Sequence, residues 1–332
     1  MREIILIFIT LLFVSCSNTP KESITIYVSE DQVFSEPILK DFEKDTGIKI
    51  NAVYDSEESK STGVMNRLIA EKNSPQADVY WANEPIRAEV LKNRGILAKY
   101  NSPNAKGIAE VFREKDNYWC GFSARVRLLI INKKLKDRPK SILAYRDSSF
   151  RSKAVIANPL FGSTTAHIAA LFTILGDQKA KAFMNDMKRN EVAISTSNGE
   201  SADFVASNSY SFSLVDSDDA MSRIKQKESV VIEYPDQEDN EIGAFVIPNV
   251  VMLIKNSPHP KLAKKLIDYL LSKESEKKLA FADCAQIPLH KGVELPKGLK
   301  PINQIKVMKV DYEKVAKKLV EIQPFLKEWV SK

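Results

Sequence analysis

Apolar and polar positions begin to alternate at Ser23, where Ile24, Ile26 and Val28 fall in a stretch rich in β-branched residues. That pattern predicts a half-buried first strand. Val33, Ile38, Leu39 and Phe42 then recur at helical spacing, and Thr46-Gly47 supplies the stop, because glycine takes the left-handed conformation of a helix end without steric cost. Ile48 to Tyr54 reads as a second strand. Val64, Met65, Leu68 and Ile69 share one face of a second helix, and Ala77 to Trp81 is a short buried strand. This β-α-β-α-β order predicts a parallel sheet with right-handed crossovers, whose ligand crevice lies beyond the carboxyl ends of its strands.

After a polar stretch from Lys99 to Asn117, Phe122 to Asn132 carries Val126, Leu128, Leu129, Ile130 and Ile131, which predicts a strand crossing from one half of the molecule to the other. A second α/β set follows. Ala154 to Ala157 reads as strand, Thr165 to Leu175 as an apolar helix and Lys179 to Lys188 as an amphipathic one; Val192 to Ser195, Tyr210 to Val215 and Val230 to Tyr234 read as further strands. Gly243 to Ile254 is again strand-rich, and Pro260 to Leu271 is a helix with Leu262, Ala263, Leu266, Ile267 and Leu270 inward. Asp311 to Lys332 carries Val315, Leu319, Ile322 and Leu326 at helical spacing, interrupted only by Pro324. The expected fold is α/β with two lobes and a ligand cleft between them. Residues 22–125 with 243–290 form lobe 1, 126–242 form lobe 2, and 291–332 form a C-terminal helical segment.

The N-terminus has a different pattern. Ile4 to Val14 is apolar apart from Thr10 and follows Arg2, the length of a signal-peptide core rather than of a membrane span. Leu12-Phe13-Val14-Ser15-Cys16 resembles a bacterial lipobox, with Phe13 where that motif prefers leucine. The resemblance implies removal of residues 1–15, lipid on Cys16, a tether over 16–22, and an exported protein lipid-anchored to the cell membrane.

Composition narrows the function classes. With 44% hydrophobic and 28% charged residues, the chain of 332 is neither disordered nor fibrous and is long enough for two cores. The net charge of +6, from 49 basic and 43 acidic residues, is spread along the chain, which argues against a nucleic-acid partner. Cys120 and Cys284 lie in no CxxC or Cys/His cluster, so no zinc site of the usual type is suggested, and either a disulfide or two buried thiols fits them. No GxSxG, HExxH or Walker A sequence is present, and His167, His259 and His290 read as packed or solvated histidines, so no catalytic residue and no cofactor is assigned.

Ile24-Thr-Ile-Tyr-Val, Ile38-Leu-Lys-Asp-Phe-Glu-Lys-Asp-Thr-Gly-Ile-Lys-Ile, Ala77-Asp-Val-Tyr-Trp and Ile247-Pro-Asn-Val-Val-Met-Leu-Ile-Lys-Asn-Ser-Pro-His-Pro together resemble the bacterial extracellular solute-binding proteins of ABC importers. The nearest group is the ferric-iron type, which also includes binders of organophosphates and phosphonates. Order and spacing carry the likeness from about Ser23 to Pro288. It implies a monomer whose lobes close over a small solute and present it to a transporter permease.

Candidate ligand residues follow from that frame. Ferric-binding members present adjacent tyrosines where this chain reads Val215-Asp216-Ser217-Asp218-Asp219. Carboxylates so crowded repel one another unless a cation or donor is near, although the same residues suit a helix start. Glu30 follows the first strand and Glu84 the third, at crevice-facing positions or as caps. As metal ligands, Glu30, Glu84, Asp218 and Asp219 are the set. Arg125 and Arg127 share a strand face, and an arginine in an apolar run needs an anionic partner; Arg125 lies nearer the crevice and is preferred. Ser163, Thr164 and Thr165 precede an apolar helix and suit an anion or a cap. Trp81 fits either a crevice wall or the core. Two ligand classes stay open, ferric iron or another metal with a synergistic anion on Arg125, and an organophosphate or phosphonate anion. A carboxylate-dependent hydrolase and a ligand sensor are the alternatives of other classes.

Overall fold

The computed structural model describes residues 22–55 and 62–331; the expected signal peptide, Cys16 and the tether up to residue 21 lie outside the described residues. The first half of the chain supplies β1 (Ser23–Val28), α1 (Gln32–Thr46), β2 (Lys49–Tyr54), α2 (Thr62–Ala70), β3 (Val79–Ala82), α3 (Pro85–Asn93), β4 (Leu97–Ala98) and the long β5 (Cys120–Asn132). Next come β6 (Ala154–Ala157), α4 (Gly162–Leu175), α5 (Asp177–Arg189), β7 (Ala193–Ser195), α6 (Asn198–Ala206), β8 (Phe212–Asp216), α7 (Ser217–Lys225) and β9 (Val230–Glu233). The chain then returns through β10 (Val246–Ile254) and ends in α8 (Pro260–Leu270), α9 (Lys273–Phe281), α10 (Tyr312–Glu321) and α11 (Gln323–Ser331).

The expected parallel arrangement is present: β1 lies between β2 and β3 and runs parallel to both. β10 joins antiparallel to β3 and to β5. β5 changes partners midway. Cys120 to Val126 pair with β10, Arg127 to Ile131 pair with β8, and Leu129 to Asn132 pair with β9. β8 then runs parallel to β6, and β6 to β7. The result is two α/β lobes joined where β5 passes from one sheet to the other. The run Leu128 to Ile131 is wholly buried, as a strand covered on both faces requires, and each such side chain contributes about 1.5–3 kcal/mol.

The structure departs from the sequence reading in several places: α3, β4, α6 and α9 have no counterpart in it, and two helices differ in detail. Val33 is 70% exposed, and Ser35 joins Ile38, Leu39 and Phe42 on the buried face of α1. Five residues separate Val33 from Ile38, which is off the three-or-four spacing of one helical face. At the other end of α1, Gly47 takes φ 72° and donates to the Glu43 carbonyl, as expected. The C-terminal segment is two helices, because Pro324 cannot continue α10 and instead sits in the first turn of α11, where a missing N–H costs little.

α10 spans both lobes. Its Glu313 pairs at 3.5 Å with Lys92 of α3, which also meets Glu89 at 2.6 Å and Glu114 at 3.3 Å, and its Lys318 pairs with Asp177 of α5 at 3.0 Å. Cys120 and Cys284 are free thiols, both buried. Burial pushes the Cys120 thiol up to about 12 and raises that of Cys284 further, so both are poor nucleophiles. Among the described residues no helix is long and apolar enough to cross a membrane.

Candidate functional site

The change of partners on β5 places two arginines at the junction of the lobes. Arg125 lies opposite Ile247 of β10, and Arg127 lies opposite Asp216 of β8. Arg127 has no exposed surface. Its Nη1 donates to Asp216 Oδ1 at 3.1 Å, Asn198 Oδ1 at 2.8 Å and Ser163 Oγ at 3.1 Å, and its Nη2 donates to Thr164 Oγ1 at 3.1 Å and the Leu214 carbonyl at 3.0 Å. The Ser163 hydroxyl donates in turn to Asp216 Oδ2 at 2.7 Å. A buried guanidinium is tolerable only with such a set of acceptors. The hydroxyls at the start of α4 are therefore directed at Arg127, while Thr165 Oγ1 is buried without a partner.

Asp216 holds the N-cap position of α7, yet its side chain caps nothing; it turns to Arg127 instead. Burial alone would raise its pKa, but the charges of Arg127 and Arg125 and the hydrogen bonds from Ser163 and Arg127 outweigh that and leave it lowered. Asp218 and Asp219 occupy the first turn of α7, half-buried, where the helix N-terminus favours negative charge. Even so, burial and then the charge of Asp216 push Asp218 up to about 6, and burial followed by the charges of Asp218 and Asp216 pushes Asp219 up to about 8. One oxygen from each of the three lies within 4.8 Å of the others. A proton or a cation would relieve this crowding.

Arg125 lies within electrostatic reach of that cluster. Its Nη2 donates to the Asn83 carbonyl of the first lobe at 2.6 Å, and its buried Nε has no partner among the described residues. Burial opposes its charge, but Asp216, Asp218, Glu30 and Asp31 outweigh burial and hold its pKa above the ordinary value. Carboxylates of both lobes thus converge on one guanidinium. Glu30, 7% exposed at the end of β1, accepts from Gln286 Nε2 at 3.0 Å.

Glu84 behaves differently. Its Oε2 accepts from the Ile86 N–H at 2.5 Å, and its Oε1 accepts from the Arg87 N–H and Nη1 at 3.1 Å each, so both oxygens serve the start of α3 next to Pro85. Of the residues singled out in the sequence, the structure gathers Glu30, Arg125, Asp216, Asp218 and Asp219, and links Ser163 and Thr164 to them through Arg127. Trp81 is core, with no exposed surface, packed on Phe122 at 5.1 Å between ring centroids. Asn198, Asn249 and Gln286 were not singled out. Asn198 had a signal, since Ser197 and Glu200 form the S-x-x-E pattern of a helix start. A broad open depression of about 920 Å³ lies elsewhere, along residues 136–150, and none of the candidate residues lines it.

Comparison with known proteins identifies the family and the fold. The profile of the family described as bacterial extracellular solute-binding protein matches residues 27–277. Iron uptake protein A1 of Synechocystis sp. is 26% identical over 299 residues, covering 83% of this chain and 81% of that protein. A Salmonella typhi periplasmic protein named for 2-aminoethylphosphonate binding is 28% identical over 242 residues, 72% of this chain and 69% of that protein. Among solved structures, a Trichodesmium protein in complex with iron and citrate superposes with a TM-score of 0.81 at 23% identity, covering 93% of this chain and 100% of that one.

Proposed function

The chain belongs to the bacterial extracellular solute-binding proteins, and on that premise we propose that it captures ferric iron together with a small anion and hands it to an ABC importer. The observation that carries this reading is the cluster of Asp216, Asp218 and Asp219, with oxygens within 4.8 Å of one another and two of the three carboxyls raised. Arg127 already neutralises Asp216, so Asp218 and Asp219 offer the cation hard oxygen ligands, with Glu30 approaching from the other lobe. Arg125 stands beside them to receive the anion. A solute that touches both lobes binds the closed arrangement better than the open one, and that difference in affinity drives hinge closure. In this reading the lobes divide as 22–125 with 243–290 and 126–242, and lipid on Cys16 keeps the protein at the membrane.

A second reading rests on Arg125, whose buried Nε has no hydrogen-bond partner among the described residues. An aminophosphonate would set its phosphonate on Arg125 and its ammonium on Asp218 and Asp219, and one relative is named for such a ligand. Titration calorimetry with ferric nitrilotriacetate and with 2-aminoethylphosphonate separates the two. For iron, Asp218→Ala with Asp219→Ala abolishes binding and Arg125→Ala weakens it; for the phosphonate, Arg125→Ala is the more severe change. Unaltered binding in both variants would remove this assignment.

A further inference from the structure

We infer that Gln286 is a positioning residue, which fixes the Glu30 carboxylate through a buried chain of one-way hydrogen bonds that begins at Trp81. The inference rests on the reading that Glu30 faces the solute.

Trp81 Nε1 donates to Asn249 Oδ1 at 3.2 Å, Asn249 Nδ2 donates to Gln286 Oε1 at 2.6 Å, and Gln286 Nε2 donates to Glu30 Oε1 at 3.0 Å. All four residues are buried, Trp81 and Gln286 completely. The direction of the chain is forced, because an indole N–H can only donate. Asn249 must therefore present its oxygen to Trp81 and its amide nitrogen to Gln286. Gln286 in turn can offer only its own nitrogen to Glu30, an arrangement that suits a carboxylate able only to accept. The last bond is charge-assisted and the strongest of the three in kind.

The backbone around Gln286 is equally constrained. Ala285 takes φ 44°, in the left-handed region, and Ile287 exchanges two hydrogen bonds with Ala124 at 2.7 and 2.8 Å. Ala124 immediately precedes Arg125. A single segment thus sets Glu30 through the Gln286 side chain and the strand position of Arg125 through the Ile287 backbone, which ties together two groups that the proposed solute would meet. Cys284 lies close enough to both Glu30 and Asp218 for each to raise its thiol, after burial itself, which places this segment beside the cluster.

Two variants test the inference. Gln286→Met removes donor and acceptor; Gln286→Glu keeps an acceptor for Asn249 and, once both carboxyls are ionised, sets a like charge against Glu30 in place of the amide donor. Crystal structures of both ligand-free variants should find the Glu30 carboxylate displaced from its wild-type position. Calorimetry with ferric nitrilotriacetate and 2-aminoethylphosphonate should find the affinity for the bound probe reduced about tenfold or more, the scale of one hydrogen bond to a charged group. In a Glu30→Gln background the Gln286→Met change should cost less than about twofold, since its effect passes through Glu30. Glu30 unmoved in both variants overturns the inference, as does an equal affinity loss in both backgrounds. Wild-type protein that binds neither probe overturns the solute reading instead, and the two ligand-free structures then decide the Gln286 assignment by themselves.

Discussion

Arg125 and Arg127 stand two residues apart on one strand, and their guanidinium groups end in different lobes: Arg125 Nη2 lies 2.6 Å from the Asn83 carbonyl, and Arg127 Nη1 lies 3.1 Å from Asp216 Oδ1. The separation has a mechanical meaning. Arg127 is internal to the second lobe and moves with it, whereas Arg125 and its Asn83 contact belong to the first lobe, and the charges of Asp216 and Asp218 act on Arg125 from across the junction. Arg125 is thus placed to feel any change in the angle between lobes.

The Arg127–Asp216 pair is wholly inside the protein, so breaking it leaves an uncompensated charge. Arg127→Ala is expected to lower the unfolding free energy by about 3–5 kcal/mol. Arg127→Met combined with Asp216→Leu should recover most of that loss, because no charge is then stranded. Urea denaturation of the three proteins measures both effects, and a loss under about 1 kcal/mol for Arg127→Ala would contradict the pairing.

Asp218 and Asp219 give the ligand-free protein a pH dependence of defined sign. Both folded values are raised, to about 6 and about 8, so the folded state holds protons that the unfolded chain releases. The contribution of these two groups to stability is greatest at low pH and is lost as pH rises from the unfolded carboxylate range through about 8. The lowered pKa of Asp216 acts oppositely, and its contribution is lost only as pH falls below the ordinary aspartate value. Replacing Asp218 and Asp219 by Asn should raise stability at pH 8 by about 1 kcal/mol or more and flatten the slope between pH 5 and 8. Thermal unfolding across that range decides it; a steeper slope in the variant would be incompatible with crowded carboxylates.

The strands that carry the site were legible because apolar periodicity reports burial. β1 and β5 follow their expected spans closely, β3 starts two residues later than expected, and the acidic run at the start of α7 stood out by composition. What stayed hidden depends on distance in space. Arg127 became the hub because β5 pairs with β8 in the register that opposes it to Asp216, and a register between strands so far apart in sequence leaves no local mark. Gln286 and Asn249 are neutral amides without periodic signal, and their roles follow only from the chain of donors starting at Trp81. Glu84 illustrates the reverse case. Its place after a buried strand suited a ligand, but Asn-Glu-Pro is also a helix start, and the backbone N–H groups of α3 took both oxygens.

Cys16 supplies a prediction independent of the site. If lipid on this residue is the anchor, Cys16→Ser should leave thermal unfolding unchanged while the protein moves from the membrane to the soluble fraction, because the described chain has no spanning helix to hold it there. Fractionation without detergent reads the outcome, and a variant still retained by membranes would refute the anchor.

The most direct test of the solute reading is anomalous X-ray diffraction at the iron edge from crystals grown with ferric nitrilotriacetate. Iron captured as proposed gives one strong peak between the lobes, coordinated by Asp218 and Asp219, with Glu30 on the facing side and an anion in contact with Arg125. A peak remote from these residues, or iron-free density with an oxyanion alone on Arg125, would contradict it.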